Sequence, residues 1–241
     1  MPATRRYTAL DVERVRANVI AVRERIAAAC GRSGRDAGDV ELVAATKYVP
    51  LDQMGVLADA GVETVGENTA QDLVAKHARF GDRLGFDFIG HLQSRKTKQV
   101  LPLVRLIHAV ESESVLRQLE RHAVGAVRVL LEVNVSGEPT KFGLEPAAVD
   151  RFVEAADAFA SVTFGGLMTM PPAVGDTQQA RPYFSRLREL GERLGREWAP
   201  RHDFRALSMG TSQDFEVAVE EGATLVRVGG VLYASEPKSG I

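Results

Sequence analysis

The chain has 241 residues, of which 45% are hydrophobic and 26% are charged, and its formal net charge is −2 at pH 7. This composition is typical of a soluble globular protein, and the balanced charge argues against a broad basic surface for nucleic acid. A single cysteine excludes an internal disulfide, and no apolar run is long enough to span a membrane. Because the N-terminal stretch lacks a signal-peptide core, we expect a cytoplasmic protein without a membrane partner.

The first predicted element is an amphipathic helix from about residue 8 to residue 30. Apolar residues recur along it at helical spacing, at Leu10, Val12, Val15, Val19, Val22 and Ile26. Thr8 is the expected N-cap, with Asp11 completing an acidic capping box, and Gly31 is expected to end the helix. Cys30 is then a buried filler rather than a reactive thiol. This helix precedes the first strand, and it packs either within one subunit or at a dimer face.

From Glu41 onward, short apolar runs alternate with helical patterns. The runs predict buried parallel strands at Leu42–Thr46, Thr64–Gly66, Phe86–Gly90, Leu106–Val110, Arg128–Val135, Phe164–Thr169, Ala206–Met209 and Thr224–Val228. The helical patterns lie at Leu51–Ala60, Thr69–Ala78, Arg95–Leu101, Ser112–Ala123, Glu145–Ala160, Thr177–Trp198 and Thr211–Glu221. This alternation predicts one α/β domain over residues 1–241, a (β/α)8 TIM barrel. The alternative, a doubly wound open sheet, usually has a glycine-rich loop after its first strand, where this chain has KYVP.

Lys47 follows the first predicted strand, in the stretch ELVAATKYVP. Active sites of TIM barrels lie at the carboxyl ends of the strands, where the βα loops converge. An amine that is partly removed from water at this place is a nucleophile for a carbonyl group. Other strands end in polar residues, namely Glu67, Asn68, His91, Gln93, Glu111, Asn134 and Ser136. We therefore expect Lys47 to face one opening lined by polar groups.

The loops after the last two strands are suited to bind an anion. The first is SMGTSQD, residues 208–214, and the second is RVGG, residues 227–230. Hydroxyl groups and accessible backbone N–H groups bind phosphate, and phosphate sites of TIM barrels often lie in these two loops. Helix capping by Thr211 or Ser212 and a glycine turn would explain each loop alone. Their occurrence after neighbouring strands favours a phosphate site.

Two buried polar residues and a second lysine have competing interpretations. Arg227 lies inside an apolar run, so it either pairs with an acid such as Glu67 or contacts a polar atom of a ligand. His108 is expected to be a satisfied core residue, and Lys141 is a loop lysine that ranks second as an amine. Paired histidine spacing is absent, and one cysteine cannot build a thiolate site, so no metal site is predicted.

Several stretches together resemble the pyridoxal phosphate homeostasis proteins, the YggS/PROSC family. The resemblance runs from about residue 41 to residue 233 and is carried by LVAATKYVP, GEN, FIGHLQSRK, VNVSGEPTKFGL, GLMTMPP and SMGTSQDFEVAVEEGATLVRVG. It implies an alanine racemase-like barrel of fold type III that holds pyridoxal 5′-phosphate (PLP) as a Schiff base on Lys47. The implied function is intracellular PLP storage or delivery, with PLP-dependent apoenzymes as partners.

The resemblance also implies roles for individual residues. The small residues after the last two strands would hold the phosphate, Arg227 would face the pyridine nitrogen, and Asn68 would line the ring pocket. Gly230 stands where threonine is common in the family, and Thr211 is the candidate to replace that hydroxyl. The implied cofactor-binding residues are Lys47, Asn68, Met168, Ser208, Gly210, Thr211, Arg227, Gly229 and Gly230.

Two features argue against strong catalytic turnover. An arginine beside the pyridine nitrogen disfavours its protonation, and the ring is then a weaker electron sink. Alanine racemase takes its second base from an additional C-terminal domain, which we do not expect here, and this also favours a monomer. We therefore expect no catalytic residue. The alternative is a Schiff-base enzyme, either a residual amino-acid racemase or a barrel aldolase with Glu67 or Glu111 as the acid–base group.

Overall fold

The computed structural model describes residues 7–172 and 175–234. Within these residues, parallel strands close into a barrel in sequence order, with the last strand paired to the first. The strands are β1 Glu41–Ala45, β2 Thr64–Glu67, β3 Gly85–Phe88, β4 Leu106–Val110, β5 Val127–Glu132, β6 Val162–Met168, β7 Ala206–Thr211 and β8 Leu225–Val228. The predicted eight-stranded TIM barrel is confirmed.

Helices connect the strands and cover the outside of the barrel. They are α1 Val12–Ser33, α2 Met54–Asp59, α3 Ala70–Phe80, α4 Thr97–Val100, α5 Glu113–His122, α6 Val149–Ala156, α7 Arg181–Glu197, α8 Phe215–Glu220 and α9 Gly230–Tyr233. In the described part of the chain, no helix combines the length and hydrophobicity needed to cross a membrane.

The ends of α1 differ from the prediction. Asp11 is the N-cap and accepts the Arg14 N–H at 2.8 Å, so the capping box expected from Thr8 is wrong. The helix continues past Gly31 and ends before Gly34, which has a left-handed φ of 69°. Glycine adopts this conformation more readily than other residues do. Its apolar stripe is buried within the same chain, against α2, α8 and α9. Cys30 is buried there, as predicted.

The predicted boundaries of the strands are accurate to a few residues. One difference in a strand and one in a helix have local causes. β5 ends at Glu132 rather than at Val135, because the Asn134 side chain accepts the Gly137 N–H at 3.1 Å and starts a turn. α8 begins at Phe215 rather than at Thr211, because the residues before it form another turn. Each of these two loops therefore begins directly after its strand, at residue 133 after β5 and at residue 212 after β7.

Candidate functional site at the carboxyl ends of the strands

Lys47 lies in the turn that immediately follows β1, which confirms its predicted place at a strand end. Its Nζ lies 4.6 Å from the centroid of the Tyr48 ring. The side chain is exposed, so the expected partial removal from water is wrong. The amine is therefore accessible to a carbonyl compound that enters the barrel mouth.

A buried ion pair fixes the backbone just before Lys47. Nζ of Lys76 donates to Oε1 of Glu67 at 2.6 Å and to the carbonyl oxygen of Thr46 at 2.9 Å. The Thr46 hydroxyl donates to the same Glu67 oxygen. Burial raises the pKa of Glu67, and the Lys76 charge opposes this shift. Glu67 thus ties the end of β2 to the end of β1.

Arg227 lies on β8 inside the barrel and is only 4% exposed. Its Nη2 donates to the Thr169 carbonyl oxygen at 2.8 Å and to Sδ of Met170 at 2.9 Å, and its Nη1 donates to the Ser208 hydroxyl. Burial lowers its pKa to about 10, which leaves the guanidinium charged at neutral pH. The salt bridge to Glu67 that the sequence allowed is wrong, because Glu67 pairs with Lys76.

Three buried carboxylate or amide oxygens at the strand ends have no hydrogen-bond partner among the described residues. They are Oε2 of Glu67, at the end of β2, Oδ1 of Asn68, just after it, and Oε2 of Glu132, at the end of β5. Burial and the charge of Glu111 raise the pKa of Glu132 to about 7, while Arg227 opposes the shift. Buried acceptors are rarely left unpaired in proteins, so these atoms indicate a polar ligand. Glu132 was not among the predicted site residues, although an acid at the end of the run VRVLL marks the carboxyl end of a strand.

Ser208 is fully buried inside the barrel. Its Oγ lies 2.8 Å from Nδ1 of His108 and accepts the hydrogen bond from Arg227. This position argues against the direct phosphate contact that the resemblance implied. His108 has hydrogen-bond partners at both ring nitrogens, which confirms its prediction as a satisfied core residue.

Gly210 and Thr211 have structural partners of their own. Gly210 has a φ of 91°, and a Cβ there would lie 2.6 Å from Cβ of Ala218, so glycine lets α8 pack closely against β7. The N–H and hydroxyl groups of Thr211 both donate to Oδ1 of Asp214, at 2.6 and 3.0 Å. The Thr211 hydroxyl, which was expected to replace a phosphate donor, is therefore engaged in this turn.

Ser212 joins the loops that follow β7 and β8. Its Oγ accepts the Gly229 N–H at 3.0 Å. A Cβ on Gly229 would lie 3.2 Å from the carbonyl oxygen of Ala45, so this loop also lies against the end of β1. Gly230 is exposed, and a Cβ on it would lie 3.8 Å from the Tyr7 hydroxyl. We call these four residues, Tyr7, Ser212, Gly229 and Gly230, the hydroxyl–glycine corner.

Tyr7 is held in this corner by two contacts. Its N–H donates to the carbonyl oxygen of Tyr48 at 3.0 Å. Its ring packs against the Tyr233 ring, with 5.0 Å between the centroids. Tyr7 was not among the predicted site residues, because it lies outside the repeating βα pattern and no local signal places it near Gly230.

The remaining predicted residues lie below or beside the mouth. Met168 is 1% exposed and packs with Val43 and Leu130 in the apolar interior of the barrel. Lys141 lies in the loop after β5. Glu111 accepts the Gly143 N–H from that loop, and one of its oxygens lies 2.8 Å from Nδ1 of His91. The structure therefore brings Lys47, Arg227, Asn68 and the hydroxyl–glycine corner to one end of the barrel and leaves Met168 beneath it.

Comparisons with known proteins show the family to which the chain belongs. The family model for the alanine racemase N-terminal domain matches residues 10–237. A pyridoxal phosphate homeostasis protein of Aquifex aeolicus is 40% identical over 218 residues, covering 88% of this chain and 94% of that protein. An unknown protein from Bifidobacterium adolescentis has a structure with a TM-score of 0.84 and 36% identity, covering 93% of this chain and 97% of that one. PipY of Synechococcus elongatus with PLP bound has a TM-score of 0.75 and 30% identity, covering 88% of this chain and 100% of that one. The chain therefore belongs to the family of the alanine racemase N-terminal domain and, within it, to the pyridoxal phosphate homeostasis proteins.

Proposed function

We propose that this protein binds PLP as a Schiff base on Lys47 and serves in intracellular PLP homeostasis, by storage or delivery. The observation that carries the proposal is the convergence of an accessible amine, a buried guanidinium and the hydroxyl–glycine corner at one end of the barrel. The PLP-bound structure of PipY and the homeostasis proteins among the relatives support it. When bound, PLP supplies an aldehyde and an electron-withdrawing ring.

The hydroxyl–glycine corner is the proposed phosphate site. The hydroxyl of Ser212 accepts the Gly229 N–H, which leaves its own proton for an anionic oxygen. Gly230 has no side chain to block the approach of a phosphate, and the Tyr7 hydroxyl lies beside it. Gly229 and Gly230 thus keep the role that the resemblance implied. Ser212 and Tyr7 take the hydroxyl roles first assigned to Ser208 and Thr211.

Arg227 and Asn68 are the proposed partners of the ring. Three N–H groups of Arg227 donate to Ser208, Thr169 and Met170, and a guanidinium carries five. The unpaired Oδ1 of Asn68 accepts a hydrogen bond from a ligand without breaking a bond within the described residues. Met168 packs beneath these groups and supports the floor of the site.

We propose that turnover is weak. Arg227 is charged at neutral pH, and a cation beside the ring nitrogen disfavours its protonation. Glu67 and Glu111, the acid–base groups considered for an aldolase, are tied to Lys76 and to His91 with Gly143. The raised pKa of Glu132 favours the alternative, a Schiff-base racemase or aldolase. A value of about 7 suits an acid–base catalyst.

Reconstitution with PLP tests the proposal. We expect the purified protein to gain a visible absorbance band with PLP, and borohydride to fix the cofactor onto Lys47, as read by peptide mapping. Lys47→Ala loses the band, whereas Lys141→Ala, the matched loop lysine, keeps it. A protein that gains no band, or a label on Lys141, overturns the assignment.

Turnover assays separate the carrier from the enzyme. We expect neither alanine racemisation nor retro-aldol cleavage above the rate of free PLP. Robust turnover that Glu132→Gln abolishes would favour the enzyme instead. The cytoplasmic location, the monomeric state, the single-domain organisation and the apoenzyme partners stay predictions.

A further inference from the structure

We infer that Ser208, His108 and Asp87 form a buried relay that positions Arg227 toward the ring nitrogen of PLP, an inference that rests on the proposed function. The three residues come from β7, β4 and β3, and each side chain is fully buried. They link Arg227 to the opposite end of the barrel.

The hydrogen bonds of the relay have one consistent direction. A guanidinium has no acceptor atom, so Nη1 of Arg227 must donate to Oγ of Ser208. A neutral His108 ring carries its one proton on Nε2, because Nε2 faces the acceptor Oδ2 of Asp87 at 3.2 Å. Nδ1, 2.8 Å from Oγ of Ser208, is then an acceptor for the Ser208 proton. Burial lowers the pKa of His108 and the Arg227 charge adds to this effect, while the hydrogen bond and charge of Asp87 oppose it; the net shift is downward, which agrees with a neutral ring.

Asp87 is itself anchored at the amino-terminal end of the barrel. Nε and Nη2 of Arg105 donate to its two carboxylate oxygens at 3.2 and 3.3 Å. Arg105 also donates to Glu41 at 2.6 Å, at the start of β1. The anchored carboxylate holds the imidazole in one tautomer and orientation, as a carboxylate behind a histidine does in catalytic triads and metal sites. The direction of every bond up to Arg227 follows from this anchor.

The consequence for Arg227 is a fixed guanidinium plane. Nη1 is held by Ser208, and Nη2 is held by Thr169 and Met170 on the β6 side. Within the described residues, the remaining Nη1 proton and the Nε proton have no acceptor, so they are the donors available to a ring nitrogen. Without the relay, Ser208 could rotate its hydroxyl and the guanidinium would lose one of its two supports. The relay residues are thus positioning residues that do not touch the cofactor.

The burial of this polar chain argues against a role in stability alone. Buried polar chains cost desolvation, and apolar residues of similar volume often stabilise a core at least as well. The neighbouring interior of this barrel is apolar instead. It is formed by Val43, Ala109, Leu130, Met168 and Leu225. The polar chain is confined to the path that ends at Arg227.

Two relay variants test the inference in the PLP-loaded protein. Ser208→Ala removes the link to Arg227, and His108→Phe keeps a ring but removes both nitrogens. We expect each to shift the absorbance maximum of bound PLP and to weaken PLP binding about tenfold, as for the loss of one hydrogen bond to a charged group. His108→Asn keeps an acceptor near the Nδ1 position and should restore much of the wild-type spectrum. Leu130→Val is the matched control for core packing and should leave the spectrum unchanged.

The outcomes distinguish the relay from the proposed function. If wild-type protein takes up PLP on Lys47 but the spectrum and affinity of Ser208→Ala are unchanged, the relay is refuted while PLP binding stands. If wild-type protein takes up no PLP, the proposed function fails. Thermal unfolding without PLP shows whether each variant folds; should His108→Phe not fold, Ser208→Ala, which changes little volume, decides the question. A spectral shift in Leu130→Val equal to that in Ser208→Ala would also overturn the relay.

Discussion

The ammonium group of Lys76 lies 2.6 Å from Oε1 of Glu67, and the two side chains are 4% and 0% exposed. This pair cross-links the turn that carries Lys47 to the strand end that precedes Asn68, because Lys76 also donates to the Thr46 carbonyl. Two groups of the proposed site are therefore held in register by a buried ion pair.

Lys76→Met should destabilise the protein by about 3–5 kcal/mol, because it leaves the Glu67 carboxylate buried without its partner. Urea unfolding of the protein without PLP measures the loss. Lys98→Met, at an exposed lysine of α4, is the matched control and should change stability by less than about 0.5 kcal/mol. The double variant with Glu67→Leu should recover part of the loss, and a single variant as stable as the control would contradict the role of the pair.

Glu132 should make stability depend on pH. Its pKa is raised from 4.5 to about 7 in the folded protein, so the folded state binds more protons than the unfolded state between these values. Stability therefore falls as the pH rises through this window, and the full penalty applies above it. Glu132→Gln should stabilise the protein by up to about 3 kcal/mol above the window and by nothing below it.

Thermal unfolding across this pH range, without PLP, measures the effect. Glu24→Gln, at an exposed glutamate of α1, should leave the pH profile unchanged. Equal stabilisation by Glu132→Gln at both ends of the range would show that Glu132 does not titrate as its burial requires.

Ser212→Ala should weaken binding of PLP about tenfold and binding of pyridoxal hardly at all, since only PLP has a phosphate. Ser208→Ala offers an internal contrast, because its predicted effect reaches the ring through Arg227 and should apply to both ligands. Spectroscopic titration with each ligand gives the two ratios. Equal losses of PLP and pyridoxal affinity in Ser212→Ala would move the phosphate away from the hydroxyl–glycine corner.

Tyr7→Phe removes only the hydroxyl near Gly230 and keeps the ring that packs on Tyr233. We expect PLP affinity to fall about threefold to tenfold, the usual contribution of one hydrogen bond, with pyridoxal affinity unchanged. Tyr183→Phe, on α7 and distant in sequence, is the control. Unchanged PLP affinity in Tyr7→Phe would limit Tyr7 to a packing role.

Local sequence patterns were sufficient for the barrel and for its reactive end. Apolar runs between helical patterns predict parallel strands, and the carboxyl ends of parallel barrel strands must share one rim. Lys47 and the two small-residue loops are placed at that rim by this topology alone. The helix α1 was also predictable, although its caps were not, because several polar residues compete for each helix end.

The partner of each polar side chain depended on strand register. β7 and β8 pair with a register shift between Ser208 and Thr211, and such irregularities are not encoded by the apolar pattern. As a result, Ser208 lies inside the barrel and bonds to His108, which is 100 residues away in the chain, while Ser212 reaches Gly229. Arg227 likewise pairs with Ser208 and not with Glu67. Side chains alternate along a strand with a period of two, so one shift in register changes which of them face the interior and which of them can meet.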